Sequence, residues 1–260
     1  MELLLPQLLK YIESGVVDEY HMWKNTTNQE DIDWMNSKQT PTVKVIESDI
    51  PVDGNWSIHD FFKRCIDDNT IYVRFDDDVV LLDSVEAFKS YLDFRIDHPE
   101  YFMVYPTILN NAVISHILQR TGKISLGSGI AGYNCMDSIG WNDGNFAAGI
   151  HDEVIEKLNS GGTLEYFHMN DWKLYYHERV SINGLAWIGS DFRKLCNGIV
   201  GRDEELELSV EMPKRFNLMN CIYGGFAIVH YAFFTQRERI DSSGYLDKYV
   251  SILHHGKLHE

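Results

Sequence analysis

Segments of helical period alternate with short β-branched and aromatic runs through the first hundred residues. A chain patterned this way buries both only by covering a sheet with helices, and strands separated by helices imply a largely parallel sheet. Leu4, Leu5, Leu8, Leu9 and Ile12 recur at helical spacing, with Pro6 tolerable in a first turn and Gly15 as the stop. Residues 16–23 read as a strand, and Asn25-Thr26-Thr27-Asn28 as a turn able to cap a helix over 30–36. A strand at 43–46, an amphipathic helix at 58–66 and a β-branched, aromatic strand at 71–75 follow. Beyond them the pattern predicts a helix around 85–95 and a strand at 101–106 stopped by Pro106.

Residues 121–149 hold seven glycines among Ser, Asn and Asp, which predicts a long, partly mobile loop of the kind that carries function. Its Gly127-Ser128-Gly129-Ile130-Ala131-Gly132 run lacks the Lys-Ser/Thr ending of a P-loop, and a lid over a site is a role open to it. A helix at 151–159, a strand at 175–187, a short helix capped by Ser190 or Asp191, a last strand at 226–233 and a mixed closing segment at 236–252 complete the reading. No linker or repeat divides the 260 residues, which therefore form one domain.

The formal charge of −16 excludes a diffuse electrostatic grip on nucleic acid or anionic lipid, so any anionic ligand requires a local positive centre. Cys65, Cys135, Cys196 and Cys221 are scattered singly, as expected of buried thiols in a reducing compartment. No apolar run is long enough to span a bilayer, and the start lacks the basic segment of a signal peptide, so a cytoplasmic location is expected.

The strongest chemical feature is the strand at 71–75 running into Asp76-Asp77-Asp78. Three consecutive carboxylates at the rim of a sheet repel one another unless hydrated or neutralised by a cation. Open α/β sheets bind ligands at the carboxyl ends of their strands, and oxygen ligands suit Mg²⁺ or Mn²⁺. A solvated acidic turn is the ordinary alternative.

An apolar strand, a basic residue and D-x-D followed by apolar residues resemble the metal and nucleotide-sugar motif of glycosyltransferases with the A-type fold. Asp18-Glu19-Tyr20-His21-Met22-Trp23-Lys24-Asn25-Thr26 is similar to the second strand of small members found in large algal viruses and bacteria. Ser181-Ile182-Asn183, Trp187-Ile188-Gly189, Asp203-Glu204-Glu205, Val229-His230-Tyr231 and Gln236-Arg237 resemble later landmarks of that family. The resemblance implies a GT-A-like α/β domain with a mixed, mostly parallel sheet flanked by helices. Residues 1–110 would form its nucleotide-sugar and metal half, and residues 111–260 its acceptor half. The family's first strand is expected to be truncated or missing, since Met1 opens almost inside the helix that should follow it.

The implied activity is metal-dependent, inverting transfer of a sugar from a UDP- or GDP-sugar to a hydroxyl of a carbohydrate or glycoconjugate acceptor. Asp76, Asp78 and His230 would hold Mn²⁺ or Mg²⁺, and Asn25, Thr26, Arg74, Asp76 and Asp77 the nucleotide sugar, with Arg74 pairing an aspartate as its ordinary role. An inverting enzyme needs a general base, for which Asp203, Glu204 and Asp191 are candidates in that order. Trp141, Trp172 and Trp187 are candidates for stacking on sugar rings, with core or rim packing as the ordinary role.

Two other readings stay open. Asp76-x-Asp78-x-Val80 also satisfies the D-x-D-x-[TV] pattern of haloacid-dehalogenase-like phosphatases, although no later Gly-Asp-x-x-x-Asp follows. A non-catalytic carbohydrate-binding relative is the third class. His254, His255 and His259 lie in a polar tail and are read as incidental.

Overall fold

The computed structural model describes residues 1–254, so His255 and His259 lie outside the described residues. The chain opens with α1 (Leu4–Glu13), β1 (Tyr20–Lys24), α2 (Gln29–Ser37) and β2 (Val43–Glu47), then a 3₁₀ segment at Ile58–Arg64. β3 (Ile71–Phe75), β4 (Val79–Leu82), α3 (Val85–Asp97), β5 (Val104–Leu109), α4 (Ala112–Arg120) and α5 (Gly144–Asn159) follow. β6 (Trp172–Leu174), β7 (Gly184–Ile188) and α6 (Gly189–Cys196) lead into a helical run made of α7 (Glu204–Leu206), a π-turn and α8 (Met212–Phe216). The chain closes with β8 (Asn220–His230), α9 (Arg237–Asp241) and α10 (Tyr245–His254).

β1 and β2 form a two-stranded parallel sheet, and the other six strands form a second sheet ordered β3-β7-β5-β8-β4, with β6 also on β8. The sheet is mixed, and the expected parallel majority is wrong. Within the larger sheet only β5 and β8 run parallel, whereas β3–β7, β5–β7, β4–β8 and β6–β8 are antiparallel. The expectation rested on strands that follow one another in sequence, but β3 and β4 lie at opposite ends of the order. Later strands enter between them, β7 antiparallel to both β3 and β5, and β8 antiparallel to β4 though parallel to β5.

β5 and most of β8 are buried, and the main core surrounds them. β5 continues through Pro106, contrary to the expected stop, because its pairing with β8 shifts register between Tyr105 and Thr107. An irregularity there spares the ladder the N–H that proline lacks. α5 begins at Gly144, seven residues earlier than expected, because Asp143 caps it by accepting from Asn145 N–H at 2.8 Å. The expected strand at 175–187 is only β7 at its end, and α6 has no side-chain cap, so neither Ser190 nor Asp191 fills that role.

α1 fastens the edge strand β4 through a buried glutamine. Gln7 Nε2 donates to Val80 O at 3.1 Å, and Leu82 N–H donates to Gln7 Oε1 at 2.8 Å. One side-chain amide thus replaces a neighbouring strand for two backbone groups. Among the described residues no helix is long and apolar enough to cross a membrane.

Candidate functional site

The ends of four strands meet at one edge of the larger sheet. β3 delivers Asp76 from its carboxyl end, and the antiparallel β7 begins opposite it, with Phe75 paired to Gly184. Asp76 N–H donates to Asn183 O at 3.0 Å, and Asn183 Nδ2 donates to Asp76 Oδ2 at 3.0 Å. Asn111, just beyond β5, in turn holds Asn183 through its Nδ2 at 3.0 Å. The other Asp76 oxygen accepts from Arg74 Nη2 at 2.7 Å. Burial raises the Asp76 pKa above the ordinary carboxylate range, with nearby Asp78 adding to the rise and Arg74 opposing it.

Asp78 faces the end of β8. His230 is buried, with Nε2 3.4 Å from Asp78 Oδ2 and Nδ1 2.9 Å from the carbonyl oxygen of Asn110. A carbonyl only accepts, so Nδ1 carries the proton and Nε2 is the nitrogen turned to Asp78. Asn110 adopts a left-handed backbone (φ 63°), and its amide donates to Tyr231 O and Gln236 Oε1, both at 3.0 Å. Asn readily takes that conformation, so the chain reverses at the end of β5 with the Asn110 amide nitrogen and backbone carbonyl engaged. Arg237 Nη2 donates to Asp78 Oδ2 at 2.6 Å.

These contacts set opposed protonation preferences. Burial alone would raise Asp78, but His230 and Arg237 hold its pKa below the ordinary value. Burial alone would lower His230, yet the Asp78 carboxylate holds its pKa above the ordinary histidine value.

The acidic segment at 203–205 divides its work. Asp203 caps α7 by accepting from Leu206 N–H at 3.0 Å and pairs with Arg179 Nη2 at 3.0 Å. Glu205 pairs with Arg179 Nε at 2.6 Å. Glu204 is the buried member, in the electrostatic field of Arg74 and Asp76, and burial raises its pKa. Asp191 is remote from this group and pairs with Lys194 at 3.3 Å.

Asn25, Thr26, Arg74, Asp76 and Asp77 line a cleft of about 1170 Å³ between β1 and β3. Asn25 is locked into its wall, donating to Gly54 O at 2.9 Å and accepting from Ser57 Oγ at 2.7 Å. Thr26 Oγ1 donates to Asp31 Oδ2 at 3.3 Å. The Asp77 side chain is exposed, while its carbonyl accepts from the Met1 ammonium at 2.6 Å. Arg74 Nη1 is buried without a hydrogen-bond partner among the described residues.

Among the described residues no group of three His, Cys, Asp or Glu side chains converges on a cation position. Asp78 and His230 supply two donors of a kind that Mn²⁺ accepts, and the second ring nitrogen of His230 is already fixed by a carbonyl, as metal-bound imidazoles usually are. Both Asp76 oxygens already accept hydrogen bonds, one from Arg74 and one from Asn183.

The tryptophans are held in other ways. Trp187 is buried and donates to Cys65 O at 3.1 Å, Trp172 donates to Tyr133 Oη at 3.1 Å, and the Trp141 carbonyl accepts from Thr235 Oγ1 at 2.7 Å. The glycine-rich loop is tied to α4, with the Gln119 amide nitrogen donating to Ser125 O at 2.9 Å and to Gly129 O at 2.7 Å.

The sequence reading passed over Asn110, Asn111 and the pairing of Arg237 with Asp78. The available signal was Asn110-Asn111 directly after the apolar run at 104–109, where two amides end a buried strand. Compared with protein-family models, curated proteins and solved structures, the chain matches none.

Proposed function

We propose that the chain transfers a glycosyl group from a nucleotide-diphosphate sugar to a hydroxyl acceptor, with Mn²⁺ or Mg²⁺ at Asp78 and His230 and with Glu204 as general base. The observation that supports this most is the meeting of three segments, β3 and its following turn with Arg74, Asp76 and Asp78, the end of β8 with His230, and α7 with Glu204, where Arg74 and Asp76 line a cleft large enough for a nucleotide sugar. Bound there, the cation would offset charge on the leaving diphosphate.

The residues' own roles follow from their surroundings. Arg74 keeps Asp76 oriented through one nitrogen and offers the unpartnered Nη1 to an anionic donor oxygen. Asp76, secured by Asn183, accepts from the ribose or sugar hydroxyls. Glu204 takes the proton from the acceptor hydroxyl as the new C–O bond forms and the bond from the anomeric carbon to the phosphate oxygen breaks. A carboxyl raised by burial is better matched to that task than Asp203, which capping and Arg179 already engage.

The decisive experiment is a thermal-shift panel of UDP, GDP and their sugars with and without Mn²⁺. Protection is expected only with the cation and is lost in Asp78→Ala. Equal protection in the presence of chelator counts against the cation's role. Robust hydrolysis of a generic phosphoester, abolished by Asp76→Asn, would replace glycosyl transfer by phosphatase chemistry.

A further inference from the structure

A second cavity lies between α3, α6 and β7, away from the acidic site. Its volume is about 170 Å³, and Tyr101, Phe102, Trp187, Phe192 and Leu195 give it a largely apolar wall. That is close to the size of an engineered apolar cavity, about 150 Å³, that accommodates benzene.

One charged group interrupts the apolar lining. Arg95 is 2% exposed, and its Nη1 donates to the Tyr101 carbonyl at 2.8 Å. Its Nε is buried with no partner, and among the described residues no carboxylate pairs with its guanidinium. Glu100 and Asp191 act on it only at longer range, and Asp191 is paired with Lys194 at the pocket rim. A buried guanidinium with neither counter-ion nor full hydrogen bonding is costly, and an anion that brings apolar surface relieves both deficits. Burial correspondingly lowers the Arg95 pKa from its ordinary value.

We propose that this pocket binds a small monocarboxylate with an aromatic or branched apolar body, its carboxylate on Arg95 and its body against Phe102, Trp187 and Phe192. Acetate is too small to fill the volume, and a diphosphate is too polar for the walls. Trp187 lines both this pocket and the β1–β3 cleft, so an occupant packs against the wall of the proposed donor site. The inference itself stands on Arg95 and the cavity and does not require glycosyl transfer.

The test is isothermal titration of the whole chain with sodium benzoate and with benzamide, its neutral analogue of nearly equal shape. Saturable binding of one benzoate is expected, with benzamide weaker by about tenfold or more, the loss of a charge-assisted pair. Arg95→Met should abolish the preference for benzoate. Leu195→Trp, which fills the pocket and leaves Arg95 in place, should abolish binding of both. The absence of saturable benzoate binding to the unaltered chain overturns the proposal, as does equal affinity for the two probes. Benzoate binding that survives in a folded Leu195→Trp variant overturns it as well.

Discussion

His230 and Asp78 face each other with Nε2 3.4 Å from Oδ2, and the ring is held in that pose by the Asn110 carbonyl at 2.9 Å on its far side. The orientation is therefore set by the backbone at the end of β5, before any ligand arrives. β8 and the turn after β3 each contribute one donor, and a third strand aligns them.

Arg237 competes for the same Asp78 oxygen. It is partly exposed, so the pair is worth only a fraction of a kcal/mol to about 1 kcal/mol. Arg237→Met is expected to tighten Mn²⁺ binding in the absence of nucleotide by about two- to fivefold. Titration calorimetry with MnCl₂ checks this, and unchanged or weaker binding would show that Asp78 is not the cation's anchor.

Glu204→Gln keeps the shape of the side chain and removes the base. Turnover should fall by about 10²- to 10⁴-fold while the KM for the donor stays near its original value. Because burial raises the Glu204 pKa and the base acts deprotonated, activity should climb with pH through a midpoint above the ordinary carboxylate range. A pH profile of kcat measures this. A Glu204→Gln variant that retains full turnover transfers the role to another group.

Gln7→Leu should destabilise the fold by about 3 kcal/mol, because Val80 O and Leu82 N–H on the edge of β4 lose their common partner in a buried setting. Urea unfolding measures the change. A loss below about 0.5 kcal/mol would mean that water replaces the amide.

The local elements were largely legible in the sequence. The strand expected at 71–75 has the bounds of β3, and the expected bounds of α1, β2 and α3 agree with the structure within one or two residues, because period and punctuation agree there. The sheet was not legible. Nothing in the sequence around 79–82 or 220–230 says that these segments pair across about 150 residues and turn the sheet antiparallel. Pro106 misled because a proline is compatible with a central strand where pairing shifts register, and that irregularity is a property of two strands together. In the candidate site, the Asp76-Asp77-Asp78 run is a local pattern that can be read from the sequence. The contacts of Asp203 with Arg179 and Leu206 are not legible in the sequence, because only the fold brings them together.

His151 provides a test of the core that is independent of the site. It is fully buried, donating from Nε2 to Tyr231 O at 2.7 Å and accepting at Nδ1 from Tyr249 Oη at 2.7 Å, so the neutral ring satisfies both contacts. Burial pushes its pKa down to about 4, with the Tyr231 carbonyl opposing the shift, nearby His230 and Lys248 assisting it and Asp152 opposing it. The unfolded chain binds a proton near pH 6.5, so between that value and about 4 it holds more protons than the folded chain. Stability should therefore rise with pH across this window, and protonation of the unfolded ring should cost about 3 kcal/mol by the acid end of it. In His151→Gln the same interval should show a shallower slope, even though stability at pH 7 is also reduced. Urea midpoints collected at half-unit steps from pH 4 to pH 7 separate the two effects, and parallel curves for the two proteins would assign the acid sensitivity elsewhere.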